Sequence, residues 1–480
     1  MKKQIIRFLA LFLAVLIVLS GCTAAPADGT TQKADPVIGQ ESNQTEVIPE
    51  ETTSTQDESN ELWIVWGKDK RSGWPAISTL ELMTEEFAKE HPNVSLRLEM
   101  IPKDEEALQR LRIQILAGKG PDVILMPRNA ELISDPYQSM QNGLFVDISE
   151  YYDADPTLEK EELNETIMEA GVYDGKRYIL PFYYDMPIAY IDVAQFEDQG
   201  GSMDWFDDGV MNLHSEKLDA GICLTNPSQN MHGFNFLPEI FDYENQEVLI
   251  TQEDIAQFLR TIQEIRATEL ADPSELPHSG FLRRPSMDSI TIYRKTWRDY
   301  VSMYIGMMPE SVTNAGFAKL SGIEIASIPV AAADGDLVAD VSFYGAVLHG
   351  CDQPELAYEL LRSALSSDTL FVALSFLSEG WSVRHAGSVD RLSNKGETID
   401  TFNEIKRFYK SDALPEVTEA DIPFLNAKID RVHFYTSLES NLSDIINTLN
   451  DPDTGAPTDV DIDAVASEFV DELKWHLYEG

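Results

Sequence analysis

Basic residues are scarce in this 480-residue chain: 36 lysines and arginines stand against 82 aspartates and glutamates, for a formal net charge of −46. A surface that acidic repels phosphate backbones and anionic headgroups, which excludes nucleic acid and direct adsorption on anionic lipid. Cysteine is almost missing too, at three residues, so no disulfide framework or cysteine-rich metal module is expected. Cys223 lies in the apolar stretch Ile222-Cys223-Leu224 and reads as a buried thiol, with pairing to Cys351 left open. The eight histidines are scattered singly, and no G-x-S-x-G, H-E-x-x-H or C-x-x-C occurs. Nucleophile and zinc signatures are therefore absent. With so many acids, some carboxylate pair always has a hydrolase-like spacing, so acid spacing carries no weight. No catalytic residue, metal or cofactor is expected.

Long hydrophobic runs are also lacking. The longest, Phe8 to Leu19, is twelve residues behind a basic head of Lys2, Lys3 and Arg7. A bilayer core of ~30 Å needs about 20 apolar residues, so this is a signal peptide and not a span. It closes on Leu19-Ser20-Gly21-Cys22. That segment resembles a bacterial lipobox, which implies lipidation of Cys22 and a membrane anchor on the extracytoplasmic face. The alternative is an ordinary secretory signal with a chance cysteine. Residues 23–61 are rich in Thr, Ser, Pro, Gln and acids, and 23–60 hold no aromatic residue. Such a segment cannot bury enough apolar surface to fold and reads as a disordered tether, with a reach of ~35 Å by flexible-chain scaling.

What remains exceeds one ordinary core, so two lobes are expected. From Leu62 the pattern is βαβαβ. Leu62 to Trp66 is a compact apolar strand; Ile77, Leu80, Met83 and Phe87 make a helical stripe; Val94, Leu96, Leu98 and Met100 alternate with polar residues. Asp104 to Ala117 reads as a helix, Gly118 as its cap, and Val123 to Met126 as a doubly buried parallel strand closed by Pro127. Gly118-Lys119-Gly120 follows a helix and precedes a strand, the reverse of a nucleotide loop. Asp451 to Gly455 has calcium-loop composition, but its glycine comes one position early and the bidentate position falls on Ile462, so it reads as a linker.

GKGPDVILMP at 118–127 and YDGKRYILP at 173–181 are similar to the "G-x-G-P-D-V" and "Y-x-G-K-x-Y-x-x-P" segments of extracellular solute-binding proteins of family 1, the maltose-binding-protein-like group of bacterial ABC importers. Further likenesses follow in order. Ala189 to Asp192 stands at an apolar-Tyr-Asn turn, and Trp297 to Gly306 at a returning strand whose usual glycine is absent. Ile323 to Pro329 stands at a strand before a turn, Ser342 to Ser366 at a strand and helix, and Ser382-Val383-Arg384 at a "P-V-R" loop. Between Gly200 and Phe236 the family's "T-W-D-E-F" helix is not found.

The resemblance implies an α/β, two-lobed periplasmic-binding-protein-like (type II) fold with a hinge and an interlobe cleft. Lobe 1 would take 62–181 plus 342–377, and lobe 2 would take 182–341 plus 378–480. It further implies a monomeric receptor that captures a small polar solute, a sugar or oligosaccharide, and delivers it to ABC permease subunits. A surface lipoprotein of another kind, an extracytoplasmic hydrolase or an envelope sensing or assembly partner, is the alternative. Aromatic faces suit sugar rings and carboxylates orient hydroxyls. The ligand-binding candidates are therefore Trp66, Asp122, Tyr183, Tyr184, Asp185, Trp297, Tyr344 and Trp381. Core packing is the competing reading for each aromatic, and local backbone bonding for Asp122.

Overall fold

Two β-sheets divide the described residues, and the apolar cluster on one face of the first extends to Ile188 and Tyr190 of the second. The computed structural model describes residues 61–67, 77–128, 131–198, 202, 233–268, 303–307, 318–319, 322–365, 381–382, 427–451 and 456–479. The signal segment, Cys22, the tether, Cys223 and Trp297 lie outside them, as do most of the linker at 451–455 and the unmatched 203–232.

In chain order the elements begin with β1 (Glu61–Trp66), α1 (Ile77–Glu90), β2 (Ser95–Met100), α2 (Glu105–Leu116) and β3 (Val123–Pro127). Next come α3 (Pro136–Gln141), α4 (Glu165–Glu169), the hairpin β4 (Val172–Tyr173) and β5 (Lys176–Arg177), then β6 (Ile179–Asp185) and β7 (Pro187–Asp192). The hairpin β8 (Phe241–Asp242) and β9 (Glu247–Val248) is followed by α5 (Gln252–Thr268), β10 (Met303–Met307), β11 (Ile325–Pro329) and β12 (Val338–Val347). The chain ends with α6 (Pro354–Ala364), β13 (Trp381–Ser382), β14 (Arg431–Phe434), α7 (Ser437–Thr448) and α8 (Ile462–Glu479).

The βαβαβ pattern forms a parallel trio, with β1 between β2 and β3. Asp104 caps α2 by accepting the Ala107 N–H at 2.9 Å. Gly118 ends that helix at a φ of +63°, a left-handed conformation that glycine adopts without a Cβ penalty. Every residue of β3 is buried, because α1 and α6 cover one face of its sheet and α2 the other. On the first face Leu62, Ile64 and Leu125 meet Leu80, Met83, Phe87 and Leu361; on the second Val65, Ile124 and Met126 meet Leu108, Leu111 and Ile115. Full burial of each such side chain contributes roughly 1.5–3 kcal/mol.

The first sheet runs in the order β13-β6-β12-β3-β1-β2, and β14 also pairs with β12. Ten-residue β12 is the long member. Its Phe343 to Val347 pair with β3, its Val338 to Val341 pair with β14, and β6 lies along its other side. The second sheet is β10-β7-β11, antiparallel throughout. Its core gathers Ala189 and Ile191 with Phe236, Ile255, Leu259 and Ile262, together with Leu442, Ile446, Phe469 and Leu473 from α7 and α8.

The chain passes between the sheets three times among the described residues: from β6 to β7 across Met186, from β11 to β12 through 330–337, and from β14 to α7 through 435–436. The first sheet thus reaches Asp185 and restarts at Val338, and it takes β13 and β14 from the late part of the chain.

Gly171 shows how tightly the first lobe is closed. Its carbonyl accepts the N–H groups of Tyr178 and Ile179 at 2.9 and 3.2 Å. A Cβ at this position would stand 2.1 Å from the Ile179 carbonyl oxygen. Gly171→Ala must therefore push backbone apart, and we expect a loss of about 1–3 kcal/mol or more of stability in denaturant unfolding. An unchanged midpoint would show that the loop yields freely.

Candidate functional site

The carboxyl ends of β1, β3 and β6 point the same way, toward the passages between the sheets. In open α/β sheets ligands bind outside the carboxyl ends of strands. Trp66 ends β1 and is half-buried. Arg128 follows β3, and its N–H donates to the Ser342 carbonyl at 2.9 Å, the point where β12 changes partner from β3 to β14. Asp185 ends β6. Trp381 of β13 is the register partner of Tyr184.

Arg128 is the centre of this junction. Its guanidinium donates from Nη2 to Asp185 Oδ2 at 2.7 Å, and Nη1 lies 3.2 Å from Asp340 Oδ2. All three side chains are almost fully buried. Asp185 also accepts the Met186 N–H at 2.9 Å, which fixes the first passage. Asp340 stands beside Asp185 on one side and His433 on the other. The contact of Asp340 with Arg128 lacks hydrogen-bond geometry, so among the described residues neither oxygen accepts a hydrogen bond. Burial pushes its carboxyl up to about 7, against the pull of Arg128 and with repulsion from Asp185 and Glu439.

The third passage adds His433 and Glu439, with Nε2 3.4 Å from Oε1. Glu439 is fully buried on the inner face of α7, beside Leu438 and Leu442. Burial pulls the His433 imidazole down, but the adjacent Glu439 outweighs it and the net shift is upward. Arg431 pins the second passage: Nε is 2.8 Å from Asp336 Oδ2, and Nη2 is 2.8 Å from Asp334 Oδ2. Asn235 donates to the Val338 carbonyl at 2.8 Å.

Another buried network ties the lobes nearby. Asp135 caps α3, takes the Tyr243 hydroxyl at 3.1 Å, and holds His476 Nε2 of α8 at 2.7 Å, while Gln138 donates to the His476 carbonyl. The Tyr137 ring packs on Tyr243 with centroids 4.8 Å apart.

The structure distributes the aromatic and acidic candidates unevenly. Asp185 and Tyr184 stand at the junction, with Trp66 at the same sheet edge. Tyr183 is fully buried, its ring stacked on Phe343 at 5.8 Å. Tyr344 packs edge-on to Phe434 at 5.1 Å, inside the first lobe. Burial raises the hydroxyls of Tyr184 and Tyr344 well above the usual phenol range. Asp122 lies at the opposite end of β3, where Oδ2 accepts the Trp63 N–H at 2.8 Å. The half-buried Cys351 is free, and its thiol is pushed up to about 12, chiefly by burial. Among the described residues no three His, Cys, Asp or Glu side chains form a group that would hold a metal ion, and no helix is long and apolar enough to cross a membrane.

Sequence reasoning passed over Arg128, Asp340, His433 and Glu439. A signal existed for two of them: Asp340 interrupts the apolar strand VADVSFYGAV, and Glu439 sits on the apolar face of an amphipathic helix.

Residues 73–210 match the bacterial extracellular solute-binding protein family. This is a family of binding proteins, and the match spans α1 to β7, including the first passage and Arg128. Among curated proteins nothing matches. A solved structure described as a de novo designed cysteine esterase is 16% identical, covers 87% of this chain and 98% of its own, and aligns at a TM-score of 0.52, which is a likeness of fold alone. A family 1 extracellular solute-binding protein from Alicyclobacillus acidocaldarius is 11% identical, with coverage of 87% and 98% and a TM-score of 0.49. An ABC substrate-binding protein from Listeria monocytogenes in complex with cycloalternan is 13% identical, with the same coverages and a TM-score of 0.47. Among the described residues the architecture is α/β, built on a seven-stranded mixed sheet and a three-stranded antiparallel one.

Removing the cation at the junction strands two buried carboxylates. We expect Arg128→Ala to cost about 3–5 kcal/mol, because the unpaired charges stay buried. Arg128→Lys should fall between it and the parent, since an ammonium cannot fork to two acids. Chemical denaturation measures both, and equal stability of all three proteins would show that the pairs contribute nothing.

Proposed function

We propose that this protein is a lipid-anchored extracytoplasmic receptor that captures a small polar solute between its lobes and hands it to ABC permease subunits. The observation that carries this reading is the family match over 73–210, which covers the passage from the first sheet to the second. The three passages supply a hinge, so that a solute touching both lobes shifts the population toward closure. No chemical step is required. Cys22 carries the acyl chain, residues 23–61 give the body reach above the membrane, and the receptor acts as a monomer.

The solute is a sugar or oligosaccharide. Support comes from the aromatic residues at the carboxyl edge of the first sheet, Trp66, Tyr184 and Trp381, with Asp185 beside them. Flat apolar rings stack on sugar faces while a few polar groups orient hydroxyls. Trp297 joins this set through its place in the sequence alone.

The test is a panel of mono- and oligosaccharides screened against lipid-free 23–480 by thermal shift, then calorimetry. A member that raises the melting temperature and binds with one-to-one stoichiometry supports the reading. Trp66→Ala should then weaken that binding by on the order of 1–3 kcal/mol, the stacking area lost with the ring. Turnover of any panel member would move the protein to the enzymes. Separately, Cys22→Ser should release the protein from membranes or leave it unprocessed; normal trimming with full membrane retention would remove the anchor from the proposal.

A further inference from the structure

Five ionisable side chains meet inside the protein where the three passages converge. Asp340 of β12 faces Arg128 from the end of β3, Asp185 from β6, His433 from β14 and Glu439 from α7. His433 faces Glu439 and Asp340, with Arg431 of its own strand nearby and the Phe234 ring centred 6.0 Å away. Tyr243 also senses Glu439, but burial holds its hydroxyl neutral at any ordinary pH. Both oxygens of Asp340, both of Glu439, the His433 Nε2 and the Thr436 hydroxyl lack hydrogen-bond partners within the described structure. Each of the three passages contributes at least one of these groups or ends next to one.

We propose that this cluster is a proton-sensitive hinge lock, which holds the passages together when protonated and loosens them as protons leave. The charge count gives the direction. On the acid side of neutrality Asp340 is uncharged and His433 is cationic, so Arg128 and His433 balance Asp185 and Glu439. Raising the pH ionises Asp340 and discharges His433, leaving Arg128 alone against three carboxylates. Two uncompensated negative charges then sit where water does not reach, and burial disfavours them strongly.

The two shifts act in the same sense. Asp340 has a folded-state value raised from 3.8 to about 7, so its contribution is fully present below 3.8 and is lost as pH rises through about 7. His433 is raised above 6.5, so its contribution is likewise present below that value and lost on the alkaline side. Relief comes from opening the passages to water, which is lobe motion. The consequence for solute capture rests on the receptor reading; the lock itself needs no solute.

Amide hydrogen exchange on the full chain, corrected for intrinsic rates, tests the lock between pH 6 and 8.5. Peptides covering 183–192, 332–343 and 431–440 should lose protection by on the order of tenfold or more across that range. A peptide from β1 should stay flat. Asp340→Asn should lessen the slope, and the Asp340→Asn/Glu439→Gln pair should abolish it, because Asp340 no longer ionises and His433 loses both carboxylates that hold its buried imidazole charged. A flat parent overturns the proposal, as does a slope shared by β1 or kept by the variants. If the double variant does not fold, the slope confined to the three passages and its reduction in Asp340→Asn decide the matter. A pH-dependent lock in a protein that binds no sugar would leave the hinge standing and the receptor reading fallen; the reverse result would separate them the other way.

Discussion

The forked contact of Arg128 with Asp185 and Asp340 is the constraint on which the rest of the structure turns. One guanidinium at the end of β3 reaches the last residue of β6 and the third residue of β12, so it fixes where three strands stop or start relative to one another. A planar fork suits two acids at once, which a point charge does not. Desolvating three charges is expensive, and a close-packed apolar trio would stabilise the fold as well or better. What the ionic trio supplies is register. A one-residue slip of β12 would bring Ala339 or Val341 to the guanidinium and leave the Asp340 carboxyl without its cation.

That register matters because β12 serves two partners on one side. Its second half completes the parallel trio through β3, and its first half holds β14. The change of partner falls at Ser342, whose carbonyl takes the Arg128 N–H. The backbone groups freed by the change are thus satisfied by the same residue whose side chain binds the acids. Packing of the first lobe and geometry of the passages are in this way one problem and not two.

Much of the first lobe was legible in the sequence because its signals are local. The stripe Leu80, Met83 and Phe87, the Asp104 cap, the Gly118 terminus and the apolar run of β3 each lie within one element, where periodicity and capping chemistry act. The Asp174-Gly175 turn, with both residues at positive φ, is of the same kind. β13 and β14 are different, since two and four residues carry no periodicity and exist only because longer strands offer them an edge. Asp122 shows the limit for sites. Its neighbours in sequence say that it opens a strand, but not that this end faces away from the passages and toward Trp63. Arg128 and Asp340 are about two hundred positions apart and Asp340 and His433 about ninety, so only the pairing of β12 with β3 and β14 brings them together.

On the receptor reading, a polar hinge also differs from an apolar one in what motion costs. Separating packed apolar surfaces exposes them to water at roughly 25 cal/mol per Å², so an apolar seam at the passages would hold one arrangement strongly. Carboxylates, an imidazole and a guanidinium regain hydration when exposed, which repays much of the contact energy they lose. The two arrangements then lie closer in free energy, and a modest difference in contacts is enough to choose between them. Away from the passages the chain does the opposite: Phe236, Leu259 and Phe469 seal one core and Phe87, Phe182 and Leu361 the other. Among the described residues Arg128, Asp185, Asp340, His433 and Glu439 gather where the chain passes between the sheets, beside an apolar cluster that spans the same place through Met186, Ile188 and Tyr190.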